Sequence, residues 1–229
     1  MGAMEIPRVG RPHMPGYGIV PATEGSGLLP WSWAAERLTR SRNYWVSSVW
    51  PDGRPHSMPV WGMWDDAVLW FSSSIGSRKT RNLAANPQCC VTTEDATDPV
   101  VLEGTARIVN EPALLQRVVD LMNAKYGTGY DVDFLSPARN ATIRVRPRRV
   151  FGLRSSDFTG SPTRWIFEDL QRHSQDGGRG GARGTPGGFH GELYHVAGMQ
   201  AGRDHRCGHA VRGVRQHPGR TVARRAHQP

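Results

Sequence analysis

The sequence predicts a mainly β fold: an antiparallel barrel, closed or split, of about six strands with three helices between them. Three observations predict it. Short runs with period-two apolar alternation recur from Tyr44 to Leu153. The connections are mostly short and the element order shows no βαβ crossover, and no GxGxxG or P-loop pattern follows a strand. Turn signals reverse the chain between successive runs, and barrel architecture is the arrangement that leaves such strands few exposed edges.

Each element has its own signal. Residues 1–27 are rich in Gly and Pro and read as a flexible arm. Pro30-Trp31-Ser32-Trp33 opens a helix to about Arg42, with Trp33, Ala34 and Leu38 inward. Tyr44 to Trp50 alternates, Pro51-Asp52-Gly53-Arg54 is a tight turn, and Pro55 to Trp64 is the next strand. Asp65-Asp66 turns that strand into Ala67–Ser73. A short helix then opens at Ser77, and Asn86-Pro87 ends it before a strand from Gln88 to Thr93. Val100 to Asn110 is a longer strand with Gly104 as a bulge. Glu111-Pro112 begins an amphipathic helix to Tyr126 that turns Leu114, Leu115, Val118, Val119 and Met122 to one side. Thr142 to Val150 alternates again, Val150 to Leu153 closes the set, and the segment around Trp165 packs back on the body.

Composition divides the chain. The formal charge is +9, yet residues 1–168 carry 19 Lys and Arg against 16 Asp and Glu. Residues 169–229 carry 10 Arg against 4 acids, together with seven of the nine His and 13 of the 27 Gly. All eight Trp lie between Trp31 and Trp165. The domain is therefore expected over 28–168, and the tail over 169–229 is expected to be disordered. The Arg/Gly tail has only Phe189 and Tyr194 for base stacking, which argues against nucleic acid as its partner. Cys89, Cys90 and Cys207 make no disulfide framework, so a reducing, cytoplasmic setting is expected. No apolar run approaches the roughly 18 residues of a membrane span, and none opens the chain as a leader would.

Chemistry-bearing side chains are sparse. His13 and His56 are the two histidines of the front part, and His56 at a strand start reads as structural. His205, Cys207 and His209 have weak spacing for zinc, so no metal is expected. No pair of carboxylates and no nucleophile–base constellation stands out, and a bound cofactor would have to carry any redox chemistry. The informative run is Ser72-Ser73-Ser74-Ile75-Gly76-Ser77-Arg78-Lys79-Thr80-Arg81-Asn82-Leu83, a strand end, a small-residue turn and a cationic helix start. Hydroxyls, cations and free helix amides at one point suit a phosphate. Taken alone, the run reads equally well as a solvated basic face. Lys79 and Lys125 are the only lysines beside 27 arginines, which draws attention to a Lys in that cluster.

The segments GRPHSMPVWGMW, AVLWFSSS, GSRKTRNLAANPQCCVTTE and VVLEGTARIV, in that order, resemble the pyridoxamine 5′-phosphate oxidase-like split β-barrel family. The similarity runs from about Leu29 to Phe167 and is nearest to the flavin/deazaflavin-dependent oxidoreductase B group, the F420-binding branch of actinobacteria. The resemblance implies a homodimer with cofactor sites shared at its interface and a phosphate held by Lys79. Arg78, Ser77, Thr80 and Asn82 would stand beside that phosphate. It also implies a ring lying against Met58, Pro59, Val60 and Trp61, with Ser72 and Ser73 lining the same pocket. The implied activity is F420-dependent hydride transfer to an unsaturated small molecule. FMN chemistry of the pyridoxamine phosphate oxidase type, or a non-catalytic F420, flavin or haem carrier, are the alternatives. The Arg-rich, Lys-poor composition of a high-GC organism favours F420, and the tail lacks the patterned Arg and His segment of the true pyridoxamine phosphate oxidases.

Overall fold

A computed structural model describes residues 7–167. The expectations for the tail over 169–229, including its disorder and the group His205, Cys207 and His209, lie outside the described residues. The described elements follow in order as β1 (Arg8–Gly10), α1 (Trp31–Arg40), β2 (Asn43–Val49), β3 (Pro55–Trp61), β4 (Met63–Asp65) and β5 (Val68–Ser74). They continue with α2 (Arg78–Ala85), β6 (Gln88–Thr93), β7 (Val100–Val109), α3 (Pro112–Tyr126), β8 (Asn140–Gly152) and β9 (Thr163–Ile166).

The six strands read from alternation are β2, β3, β5, β6, β7 and β8, and every ladder is antiparallel. The hydrogen-bonded order runs β1-β9-β8-β7-β6-β2-β3, and β5 joins the sheet through β8. β8 is long enough to serve two partners: Asn140–Val145 pairs with β5, and Arg149–Gly152 pairs with β9. That change of partner curls the sheet. β3 and β5 then lie side by side with no ladder between them, which is the split in the barrel.

Three short strands go beyond the six expected. Gly62 interrupts the single run expected over Pro55–Trp64, so that β3 and β4 separate there. A Cβ at Gly62 would lie 2.8 Å from the Tyr44 ring, so only glycine lets the chain bend over that side chain. The bulge expected at Gly104 is present as a register shift between Glu103 and Gly104. A second departure concerns the arm expected to be flexible over 1–27: its residues 8–10 form β1 on the edge of β9. Arg11 explains the hold. Its guanidinium donates to the carbonyls of Pro162 (2.8 Å), Gly160 (2.8 Å), Pro21 (3.1 Å), Glu24 (3.3 Å) and Gly27 (3.5 Å). Sequence pattern shows none of this, because the acceptors are backbone atoms about 150 positions away as well as local ones. Arg11→Ala is expected to destabilise the fold by about 2–3 kcal/mol, the value of charged hydrogen bonds lost to half-buried carbonyls. Urea unfolding with an unchanged midpoint would refute this.

Two apolar clusters result. The barrel interior holds Trp33, Leu38, Tyr44, Val46, Leu69, Phe71, Val91, Leu102, Ile143 and Trp165. A second layer packs α3, through Leu115, Val118, Val119 and Met122, onto Met63, Trp70 and Val109. Strand alternation divides β5 between them: Leu69 and Phe71 point into the barrel, while Trp70 faces α3.

Candidate functional site

The start of α2 gathers the first part of the site. Lys79 donates from Nζ to Ser73 Oγ at 3.0 Å, and Ser73 donates onward to Ser77 Oγ at 3.0 Å. Ser77 is the N-cap, accepting from the Thr80 amide at 3.3 Å. Thr80 Oγ1 lies 2.9 Å from Ser77 Oγ and donates to the Ser74 carbonyl at 3.0 Å. This chain uses the hydroxyl hydrogens of Ser73, Ser77 and Thr80 within the protein. An anion is therefore left the remaining N–H groups of Lys79 and the first-turn amides of Arg78 and Lys79, which have no intrahelical acceptor. Burial pulls the Lys79 ammonium below its usual pKa, and no carboxylate pairs with it among the described residues. A half-buried cation without a counterion, at a helix start, fits a phosphate.

Other residues expected around Lys79 are placed differently. Asn82 is 1% exposed and donates to Ser48 Oγ at 3.2 Å, so it supports the helix from below and does not face a ligand. It lies three residues after Lys79 on the inward side of α2, the face that Leu83 also uses. Arg78 turns away from Lys79. Its guanidinium rests 3.6 Å over the Trp50 ring, which Arg54 also covers at 4.4 Å. The β2–β3 turn is thereby docked against α2, a contact that no local spacing announces.

The strand expected to carry the ring divides by alternation. Met58, Pro59 and Trp61 are exposed, whereas Val60 is 8% exposed within the barrel core. The Val60 side chain packs inward, so this position would meet a ring through its backbone alone. Ser72 and Ser73 likewise take opposite faces of β5. Ser73 reaches Lys79, while Ser72 lines a cavity of about 230 Å³ with Trp61, Met63, Met122 and Phe134. A wider hollow of about 530 Å³ lies within the Arg11–Pro21 loop, where Arg11 is already committed to carbonyls.

Helix α3 supplies residues that sequence reasoning left out. Tyr126 stacks face to face with Trp61 at 4.4 Å, and its hydroxyl accepts from the Gly62 amide at 2.7 Å. Lys125 donates to the Gly62 carbonyl at 2.7 Å and to the Tyr44 hydroxyl at 2.9 Å. The bend after Trp61 is therefore pinned from both sides. The rarity of Lys was the available signal for Lys125. Burial lowers its pKa to about 8, against a partial opposing effect of Glu94 and a supporting one from Arg42. A folded-state pKa below the unfolded value of about 10.4 means that the unfolded chain binds more protons between them. The Lys125 contribution to stability is expected to rise as pH increases from about 8 towards 10. Cys89 and Cys90, whose thiols burial raises, take stability away from about 9 upward, so the Lys125 part is read against a variant. Tyr44 and Tyr126, whose phenols burial pushes up, oppose further gain above that range. Lys125→Met should flatten the rise; a wild-type melting temperature that does not increase relative to this variant would refute it.

Elsewhere the described residues are chemically quiet. Burial raises the Cys89 thiol to about 12 and Cys90 to about 11, so neither is a nucleophile near neutral pH. No group of three His, Cys, Asp or Glu able to hold a metal occurs among the described residues. Nor is any helix among them long and apolar enough to cross a membrane.

In a comparison against protein families, the pyridoxamine 5′-phosphate oxidase family matches residues 33–154. The chain belongs to this family. The matched segment begins in α1 and ends after β8, so it contains Lys79, Ser72, Ser73 and the whole of β3. Solved structures of similar fold include a conserved hypothetical protein from Mycobacterium tuberculosis, 27% identical, covering 53% of this chain and 82% of that one with a TM-score of 0.49. An F420 reductase is 24% identical over 50% of this chain and 93% of its own, with a TM-score of 0.42. A haem storage protein from Vibrio cholerae is 20% identical over 53% and 91%, with a TM-score of 0.45. None of the curated proteins matches the chain.

Proposed function

We propose that this member of the pyridoxamine 5′-phosphate oxidase family is a cytoplasmic, dimeric F420-dependent oxidoreductase acting on an unsaturated small molecule. The observation that carries the reading is Lys79: a half-buried ammonium with no carboxylate partner among the described residues, hydrogen-bonded to Ser73 at a helix start beside the split between β3 and β5. Lys79 and the first amides of α2 would hold the cofactor phosphate. Pro59, Trp61 and Met58, exposed on β3, would flank its ring, and Ser73 keeps the ammonium in place. The chemistry such a deazaflavin supplies when bound is hydride transfer. The protein's part is orientation: Lys125 and Tyr126 hold the Trp61–Gly62 bend, and Trp61 stacks on Tyr126 beside it. The exposed outer face of β2 and β3, with Trp45, Val49, Pro59 and Trp61, supports burial against a second copy. F420 in preference to FMN rests on the Arg-rich composition. Titration of the full-length protein with each cofactor, read by fluorescence, tests it. Micromolar or tighter F420 binding, with weaker FMN binding, is the expected result; the reverse order would make this an FMN protein.

A further inference from the structure

We propose that Lys125 is a positioning residue that makes the exposed Trp61 side of the site respond to protons: its ammonium holds Trp61 against Tyr126, and its neutral amine lets that ring go. That this matters to a bound ring rests on the proposed function; the movement of Trp61 does not.

Trp61 ends β3 and is 47% exposed, so the barrel core does not fix it. Two supports do. The Gly62 peptide behind it is held at both polar atoms: Lys125 Nζ donates to the carbonyl at 2.7 Å, and the Tyr126 hydroxyl accepts from the amide at 2.7 Å. The Tyr126 ring is the surface on which Trp61 stacks, at 4.4 Å and 6°. Lys125 acts on both supports. Besides Gly62 it bonds the Tyr44 hydroxyl at 2.9 Å, and its ammonium stands 5.0 Å from the Tyr44 ring and 5.7 Å from the Tyr126 ring. A lysine in the last turn of a helix ordinarily serves the carbonyls of that helix. This one crosses to a carbonyl 63 positions away. Loss of its proton would turn a charge-assisted hydrogen bond into a neutral one of about half the strength and end the attraction to both rings.

Of the groups facing Lys125, the phenols stay neutral and the carboxylate stays charged. Tyr44 comes from β2 and Tyr126 from α3, and burial pushes both phenols up. Glu94, just after β6, accepts from the Asn43 side-chain amide and the Arg42 backbone amide, which hold its carboxyl below the usual range. Arg42, just before β2, lies over the Tyr126 ring at 5.4 Å. Burial disfavours the Lys125 ammonium most; Glu94 works against that and Arg42 with it. The charge on Lys125 is therefore lost as pH rises through about 8.

Fluorine NMR of the full-length protein labelled with 5-fluorotryptophan tests this without any ligand. The Trp61 resonance, assigned by its absence from Trp61→Phe, is expected to shift with a midpoint near pH 8 while that of the buried Trp165 stays still. In Lys125→Arg, whose guanidinium keeps its charge, the Trp61 resonance should hold its low-pH position up to about pH 10. In Lys125→Met it should take the high-pH position throughout. A Trp61 resonance that never moves, or one that titrates equally in Lys125→Arg, would overturn the proposal. A parallel shift of Trp165 would overturn it too, since the whole fold would then be loosening. Fluorescence titration with F420 at about pH 7 and about pH 9 reads the consequence for the site. Wild-type affinity is expected to fall at least about threefold more than that of Lys125→Arg, because any titration of Lys79 or of the cofactor is common to both proteins. Equal losses would overturn the link from Trp61 to the ring. No F420 binding at either pH would sink the cofactor reading alone, the fluorine shift still deciding for or against Lys125.

Discussion

Lys79→Ala is expected to lower the affinity for F420 ten- to a hundredfold while leaving the fold intact. The lost interaction is one charge-assisted contact, about 1.5–3 kcal/mol, made in a half-buried setting where water cannot replace it. The fold should survive because the lysine contributes one hydrogen bond, to Ser73, and its charge is already disfavoured by burial. Removing a desolvated cation that pairs with no carboxylate among the described residues costs the described fold no ion pair. The affinity loss should shrink with rising salt if the contact is exposed and persist if it is half-buried as described. Arg78→Ala offers a contrast: its guanidinium lies over Trp50, so a smaller change in cofactor affinity is expected. Fluorescence titration decides both, and an unchanged F420 affinity in Lys79→Ala would remove the phosphate assignment.

Trp165→Ala is expected to cost about 3–5 kcal/mol of stability, more than the loss of the Arg11 guanidinium. Trp165 is 1% exposed, meets the Trp31 ring edge-on at 5.6 Å, and lies directly under Gly152, where a Cβ would approach its ring to 3.2 Å. Such surroundings cannot collapse into the space that the indole leaves. The same residue sits opposite Val9 in the β1–β9 ladder and opposite Val150 in the β8–β9 ladder. Its loss should therefore loosen the amino-terminal strand too, visible as faster amide exchange at Arg8–Gly10. Trp61→Ala is the control: Trp61 is 47% exposed and keeps mainly its stack on Tyr126. A cost of about 0.5–1.5 kcal/mol is expected there. Equal urea midpoints for the two variants would show that β9 does not belong to the core.

What the sequence carried is best seen in β2 and α2. Tyr44, Val46 and Ser48 alternate with Trp45 and Val49, and the burial of that strand follows the alternation residue by residue. The helix start expected before Arg78-Lys79-Thr80 is present, and Ser77 caps it. The same local logic failed where a contact came from far along the chain. Alternation in Met58-Pro59-Val60-Trp61 puts Met58 and Val60 on one face, yet only Val60 is buried, because the barrel core covers that end of the strand alone. Asn82 was placed beside the phosphate by the resemblance alone, and the helix turns its side chain onto Ser48. Arg11 and β1 escaped notice because hydrogen bonds to backbone carbonyls leave no mark on the residues that accept them.

The amino-acid sequence by itself determined the antiparallel strands, their turns, the capped helix and the presence of Lys79 at its start. Those features depend on neighbours within a few residues, where backbone sterics, capping and side-chain period act. Only the tertiary structure decided which way each side chain of the site is spent. It closed Ser73, Ser77 and Thr80 into one hydrogen-bonded chain, turned Arg78 onto Trp50, and brought Lys125 and Tyr126 to Gly62. Those partners meet because β3 and β5 stay apart while β8 curls the sheet, and strand pairing over such distances is a property of the whole chain.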